Sequence, residues 1–126
     1  MLTEGDITRI ATRIATGYAP LVVGTFGSYA LGTPKPTSDL DVFVIKDTRE
    51  SPAARRNAVM RLLFGVLHKV DVHVFTPAEF ESTVDERLSF AWVIVRQARI
   101  YCWHDKAGCA TPSLARSRAP ISAMKD

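Results

Sequence analysis

Two aspartates, Asp39 and Asp41, stand two residues apart where a proline-containing loop gives way to the apolar run Leu40 to Ile45. In an extended segment residues i and i+2 project from one face, so the two carboxylates point the same way. Side by side, ionised acids repel unless a cation sits between them. Upstream, Gly27-Ser28 directly follows another apolar run, Leu21 to Phe26. Glycine permits close backbone approach, while a serine hydroxyl and exposed N–H groups can hold phosphate oxygens. A third acid, Asp71, interrupts the apolar segment Val70 to Phe75 and can face the same sheet surface. Three carboxylates beside a phosphate cradle suit Mg²⁺, which completes its octahedron with waters and substrate phosphates. Two such ions, about 3.5 to 4 Å apart, stabilise both the attacking and the leaving oxygen of a phosphoryl or nucleotidyl transfer. The bland alternative is an Asp-rich turn entering a strand, with Asp71 at a tolerated edge.

The elements that must position these groups follow from periodicity. Ile7, Ile10, Ala11 and Ile14 predict a helix over about Asp6 to Thr16, with Gly17 as its left-handed cap. Leu21–Phe26 reads as a buried strand, Ser28–Leu31 as a brief helical turn, and Gly32–Ser38 as a loop. Leu40–Ile45 is the second strand. Ser51-Pro52 caps a helix predicted to reach about Leu67, buried through Val59, Leu62, Leu63 and Val66. Arg55, Arg56 and Arg61 read as its solvated basic side. Val70–Phe75 alternates as a half-buried strand, and Thr76-Pro77-Ala78-Glu79 forms a capping box. A second capping pattern, Thr83 to Glu86, predicts a helix through Gln97 with Val84, Leu88, Ala91, Trp92 and Val95 buried. Ile100–Trp103 closes the sheet. The class is therefore α/β or α+β with one sheet.

The chain has 126 residues, enough for one domain, expected over residues 1–103, with 104–126 as a flexible tail. The formal charge of +3 is concentrated in that tail. Residues 1–103 hold twelve basic and eleven acidic side chains, which argues against a nucleic-acid-binding face. Cys102 and Cys109 do not make a disulfide framework and are expected to be reduced thiols. With His104 they offer three zinc ligands but no fourth at finger-like spacing. No apolar run resembles a signal peptide or can span a bilayer, so a cytoplasmic protein without membrane contact is expected.

Gly27-Ser28, ten residues, then Asp39-x-Asp41, with Asp71 on the following strand, resembles the signature of the DNA polymerase β-type nucleotidyltransferase superfamily. The resemblance covers roughly Pro20 to Trp103 and is closest to the minimal, single-domain members, many of them encoded beside an all-helical HEPN partner. It implies that fold, with a small mixed sheet and packed helices. It also implies that Asp39 and Asp41 ligate two Mg²⁺ ions, that Asp71 binds the catalytic metal and orients the attacking hydroxyl, and that Gly27 and Ser28 hold the nucleotide phosphates. The implied reaction moves a nucleoside monophosphate, AMP from ATP or its counterpart from another NTP, to a hydroxyl on a partner protein, as the antitoxin of a toxin–antitoxin pair. The rival expectation is a non-catalytic nucleotide- or partner-binding antitoxin. Many family members carry an arginine near the turn where this chain has Leu31 beside Gly32, a cation for which Lys35 or Lys46 would have to substitute. Tyr29 could stack on a base or cover the turn, and His73 reads as a polar residue at the sheet rim.

Overall fold

The structure is a computed structural model describing residues 1–105 and 108–110. Along the chain run α1 (Glu4–Tyr18), β1 (Val22–Phe26), α2 (Ser28–Leu31), β2 (Leu40–Ile45) and α3 (Pro52–Leu62). β3 (Val70–Phe75), α4 (Pro77–Thr83), α5 (Phe90–Gln97), β4 (Arg99–Asp105) and β5 (Gly108–Ala110) follow. The strands form one mixed sheet in the order β3-β2-β1-β4-β5. β1 runs antiparallel to β2 and β4, whereas β2 and β3 are parallel, joined by a crossover through α3.

Strand alternation sorts the side chains into two layers. On one face Val23, Leu40, Val42, Val44, Val70 and Val72 pack against α1 and α3. On the other, Val22, Phe26, Phe43 and Ile45 meet α4 and α5 through Phe80, Val84, Ala91 and Ile94. α1 is opened by a reciprocal capping box between Thr3 and Asp6. It passes through Gly17 and stops at Ala19, which adopts φ 50°. The glycine expected as the cap instead lets α1 approach α3: a Cβ there would fall 2.5 Å from Leu62 Cδ2.

β2 and β3 occupy the predicted residues, and the Ser51 and Thr76 caps form as expected. Two helices are shorter than predicted. α3 ends at Leu62, followed by turns through Gly65 at φ 92°, so Val66 and Leu67 lie outside it. α5 starts only at Phe90, because Leu88 takes φ 70° and Ser89 caps a new helix by accepting from the Trp92 N–H. Its buried stripe is Ala91 and Ile94; Leu88 is 73% exposed, and Trp92 instead carries the Arg96 guanidinium 3.8 Å from a ring centre. Arg55 is not on a solvated face either. It is 5% exposed and donates to both Glu79 carboxylate oxygens, at 2.7 and 3.2 Å.

The final strand continues past Trp103 and pairs antiparallel with β5, so five residues of the expected tail are strand. Residues 106, 107 and 111–126 lie outside the described residues. Cys102 is disulfide-bonded rather than a free thiol.

Candidate active site

The sheet brings together residues far apart in sequence at one of its ends. β1 finishes where β2 and β3 begin, with Phe26 opposite Asp41 and Asp41 beside Asp71 in the parallel register. Adjacent strands lie roughly 4.8 Å apart, so the two carboxylates are neighbours on one face. Both are half-buried. Burial first, then the nearby charges of Asp71 and Asp39, push the Asp41 carboxyl above its ordinary range. Asp39, just before β2, faces the exposed Lys69 ammonium at 3.4 Å. Such an exposed pair is worth about 0 to 1 kcal/mol and is readily exchanged for another cation.

Gly27 closes the site from the β1 side. It adopts φ 76°, and a Cβ there would sit 2.4 Å from Asp41 Oδ2. Only glycine leaves room for that carboxylate. The Gly27 carbonyl accepts from the Leu31 N–H at 3.0 Å, starting α2, and its own N–H donates to Gln97 Oε1 at 3.0 Å. Gly27 is thus not an open donor, a commitment that sequence reasoning missed because a glutamine at a helix end carries no signal. The Ser28 hydroxyl makes no hydrogen bond among the described residues.

Other expected neighbours lie elsewhere. Tyr29 is 5% exposed; its hydroxyl accepts from the Leu2 N–H and its ring meets His68 edge-on, so it covers the turn. His68 in turn contacts the Ser38 carbonyl at 2.9 Å. Lys46, just past the end of β2, is five residues from Asp41 and roughly 16 Å away. It is engaged with the Tyr18 carbonyl and ring and cannot replace a cation at the turn. Among the described residues the guanidinium nearest that turn is Arg99, whose Nη2 would lie 3.8 Å from a Cβ on Gly32 and whose Nη1 bonds Glu4. His73 packs its ring 5.4 Å from Phe26 and 4.6 Å from Phe90, and burial pulls its pKa below the ordinary imidazole value against the opposing pull of Asp71.

Among the described residues no three ligating side chains are gathered into a ready-made metal cage. The donor set nevertheless fits Mg²⁺, which binds through one or two carboxylates and takes its remaining ligands from water and phosphate. Asp41 and Asp71 stand side by side in register, so a cation between them would offset the like-charge part of what raises the Asp41 carboxyl, after burial. A cavity of about 640 Å³ lies between α1 and the turn at 66–68, lined by Leu2, Asp6, Arg9, Arg13 and His68; Asp39, Asp41 and Asp71 are not in it.

Residues 7–101 match the family model described as a nucleotidyltransferase domain. The chain belongs to that family. It is a nucleotidyltransferase, and the matched span includes the whole site. Solved structures of similar fold include one from Sulfolobus solfataricus provisionally described as a nucleotidyltransferase, 23% identical, with TM-score 0.55 over 82% of each chain. Another is described as a toxin–antitoxin with AMP-PNP, 20% identical, with TM-score 0.50 over 79% of this chain and 72% of that one. No curated protein sequence matches the chain. Among the described residues no helix of this nucleotidyltransferase is long and apolar enough to cross a membrane.

Proposed function

We propose that this nucleotidyltransferase moves AMP from MgATP to a hydroxyl of a helical, HEPN-type partner protein, as the antitoxin of a toxin–antitoxin pair. The observation that carries the transfer is the Asp41–Asp71 pair in register at an open sheet end, with Gly27 packed on the Asp41 carboxylate. The partner assignment is supported by the likeness in fold to a toxin–antitoxin structure described with AMP-PNP.

Asp39, Asp41 and Asp71 would hold two Mg²⁺ ions, whose charge would stabilise the attacking and leaving oxygens of the displacement. The chain's own groups do the rest. Asp71, on the neighbouring strand, accepts the acceptor hydroxyl's proton or orients that hydroxyl for in-line attack on the α-phosphorus. A bond forms from the acceptor oxygen to that phosphorus, the bond to the bridging oxygen breaks, and pyrophosphate leaves. The Ser28 hydroxyl donates to the departing phosphates, and Gly27 supplies the close approach that keeps Asp41 at the reacting end. The open sheet end admits an acceptor that is itself a protein surface.

ATP labelled at its α-phosphate, incubated with Mg²⁺ and the co-purified partner, tests this. Label should pass to the partner with release of pyrophosphate, and Asp41→Ala should abolish it. No labelled product, together with undiminished partner inhibition by Asp41→Ala, would establish instead a non-catalytic antitoxin.

A further inference from the structure

Gln97 is the last residue of α5, and its position is unusual for an amide. It continues the stripe of Ala91 and Ile94 at three-residue spacing, the side of the helix that packs on the sheet. An apolar residue would extend that stripe with no polar group to satisfy. The amide instead reaches the end of β1 and accepts the Gly27 N–H at 3.0 Å, a half-buried bond linking residues seventy apart in sequence. A backbone N–H can only donate, so the oxygen of the amide must be the atom turned toward it.

The bond completes the fixing of Gly27. Its carbonyl is held by the Leu31 N–H, its N–H by Gln97, and its Cα abuts Asp41 Oδ2. Glycine has a wide choice of backbone conformations, and φ 76° is only one of them. Without Gln97 the Gly27 N–H loses its acceptor, and the turn is held only by the Leu31 N–H and the β1 ladder, so Ser28 and the Asp41 carboxylate lose part of their shared reference. We infer that Gln97 is a positioning residue for nucleotide binding: it holds the Gly27–Ser28 turn in its competent conformation before the nucleotide arrives. The inference rests on the proposed reading of the site and names a residue in α5 that the acid motif does not contain.

Preorganisation of this kind has a kinetic signature. When only a fraction of molecules has the competent turn, apparent nucleotide affinity falls by that fraction, while bound nucleotide restores the turn. Gln97→Met keeps the length and apolar packing of the side chain and removes the acceptor. MgATP affinity is read by calorimetry, and turnover by pyrophosphate release at saturating MgATP with the co-purified partner as acceptor. For Gln97→Met the Kd should rise about tenfold, while the saturated rate falls by no more than about threefold. A role confined to fold stability would give the opposite split: fewer active molecules, hence a lower rate, at an unchanged Kd. That result overturns the inference, as does unchanged behaviour in both measurements. Hydrogen exchange of the Gly27 amide in the wild-type protein gives an independent check should the variant not fold. Protection in the nucleotide-free protein is expected, and exchange as fast as an exposed loop amide overturns the inference. Failure of the wild-type protein to bind any Mg-nucleotide is a different outcome, overturning the reading of the site and this role with it.

Discussion

The two faces of the sheet are built from the same strands and end up with opposite characters. Alternation in β2 sends Leu40, Val42 and Val44 to one face and Asp41, Phe43 and Ile45 to the other. The first face lies under α1, whose fifteen residues extend about 22 Å, together with α3. The second has only α4, seven residues, and α5, eight residues and about 12 Å. Long helices close a face, and short ones leave an end of it open. The acids stand at that open end, and Asp41 ionises there only against burial and two like charges. One face is thus organised for stability and the other gives up some stability at a site where a cation would be welcome.

Neutralising Asp41 should break this contrast most sharply. Asp41→Asn removes a proposed metal ligand, and losing several kcal/mol of charge stabilisation corresponds to a fall of about 10³-fold or more in nucleotidyl transfer. The same change should raise the melting temperature of the metal-free protein at pH 7. The raised carboxyl means the folded state holds its proton more tightly than the unfolded chain does. Stability is therefore lost as pH rises through the carboxylate range, and Asn removes that loss. Thermal melts with and without Mg²⁺ check it: a lower melting temperature for Asp41→Asn in the absence of metal would contradict the picture of a strained acidic end.

The closed face offers the complementary test. Ile14 is fully buried in α1. Ile14→Ala should cost about 3 kcal/mol in denaturant unfolding, through lost transfer energy and a residual cavity. The Kd for MgATP of the folded fraction should stay within about twofold. A large change in that Kd would mean the two faces are coupled and that their division of labour is false.

Much of this site was readable in the sequence because it is local. Asp39 and Asp41 flank one residue, Gly27-Ser28 follows a strand, and the period-two alternation around Asp71 fixes which way that acid points relative to its neighbours. The parts that were not readable depend on groups distant in sequence. Val84, Leu88, Ala91 and Val95 make an acceptable helical stripe, and only the packing of the sheet selects a break at Leu88 and a fresh cap at Ser89. Arg55 reads as one of three surface arginines until its partner, twenty-four residues on, is brought to it. Gln97 is the clearest case, since nothing in its neighbourhood says that Gly27 will need an acceptor.

The smallest expected effect belongs to the join between the faces. Arg55 in α3 and Glu79 in α4 reach each other around the edge formed by β3, the guanidinium also donating to the Glu50 carbonyl. The Arg55 hydrogen bond, with help from the Thr76 backbone, holds the Glu79 carboxyl below its ordinary value. A depressed acid contributes stability above its unfolded pKa, near 4.5, and loses it as pH falls through the lower folded value. Because the Glu79 side chain is 45% exposed, solvent screens the pair, and Glu79→Gln should cost only about 1 kcal/mol at pH 7. The difference between variant and wild type should shrink toward zero as urea melts are repeated at pH values below 4.5. A pH-independent difference would assign the loss to packing of the Thr76 cap, where Glu79 also accepts from the backbone, and the charge would then play no part in holding the two faces together.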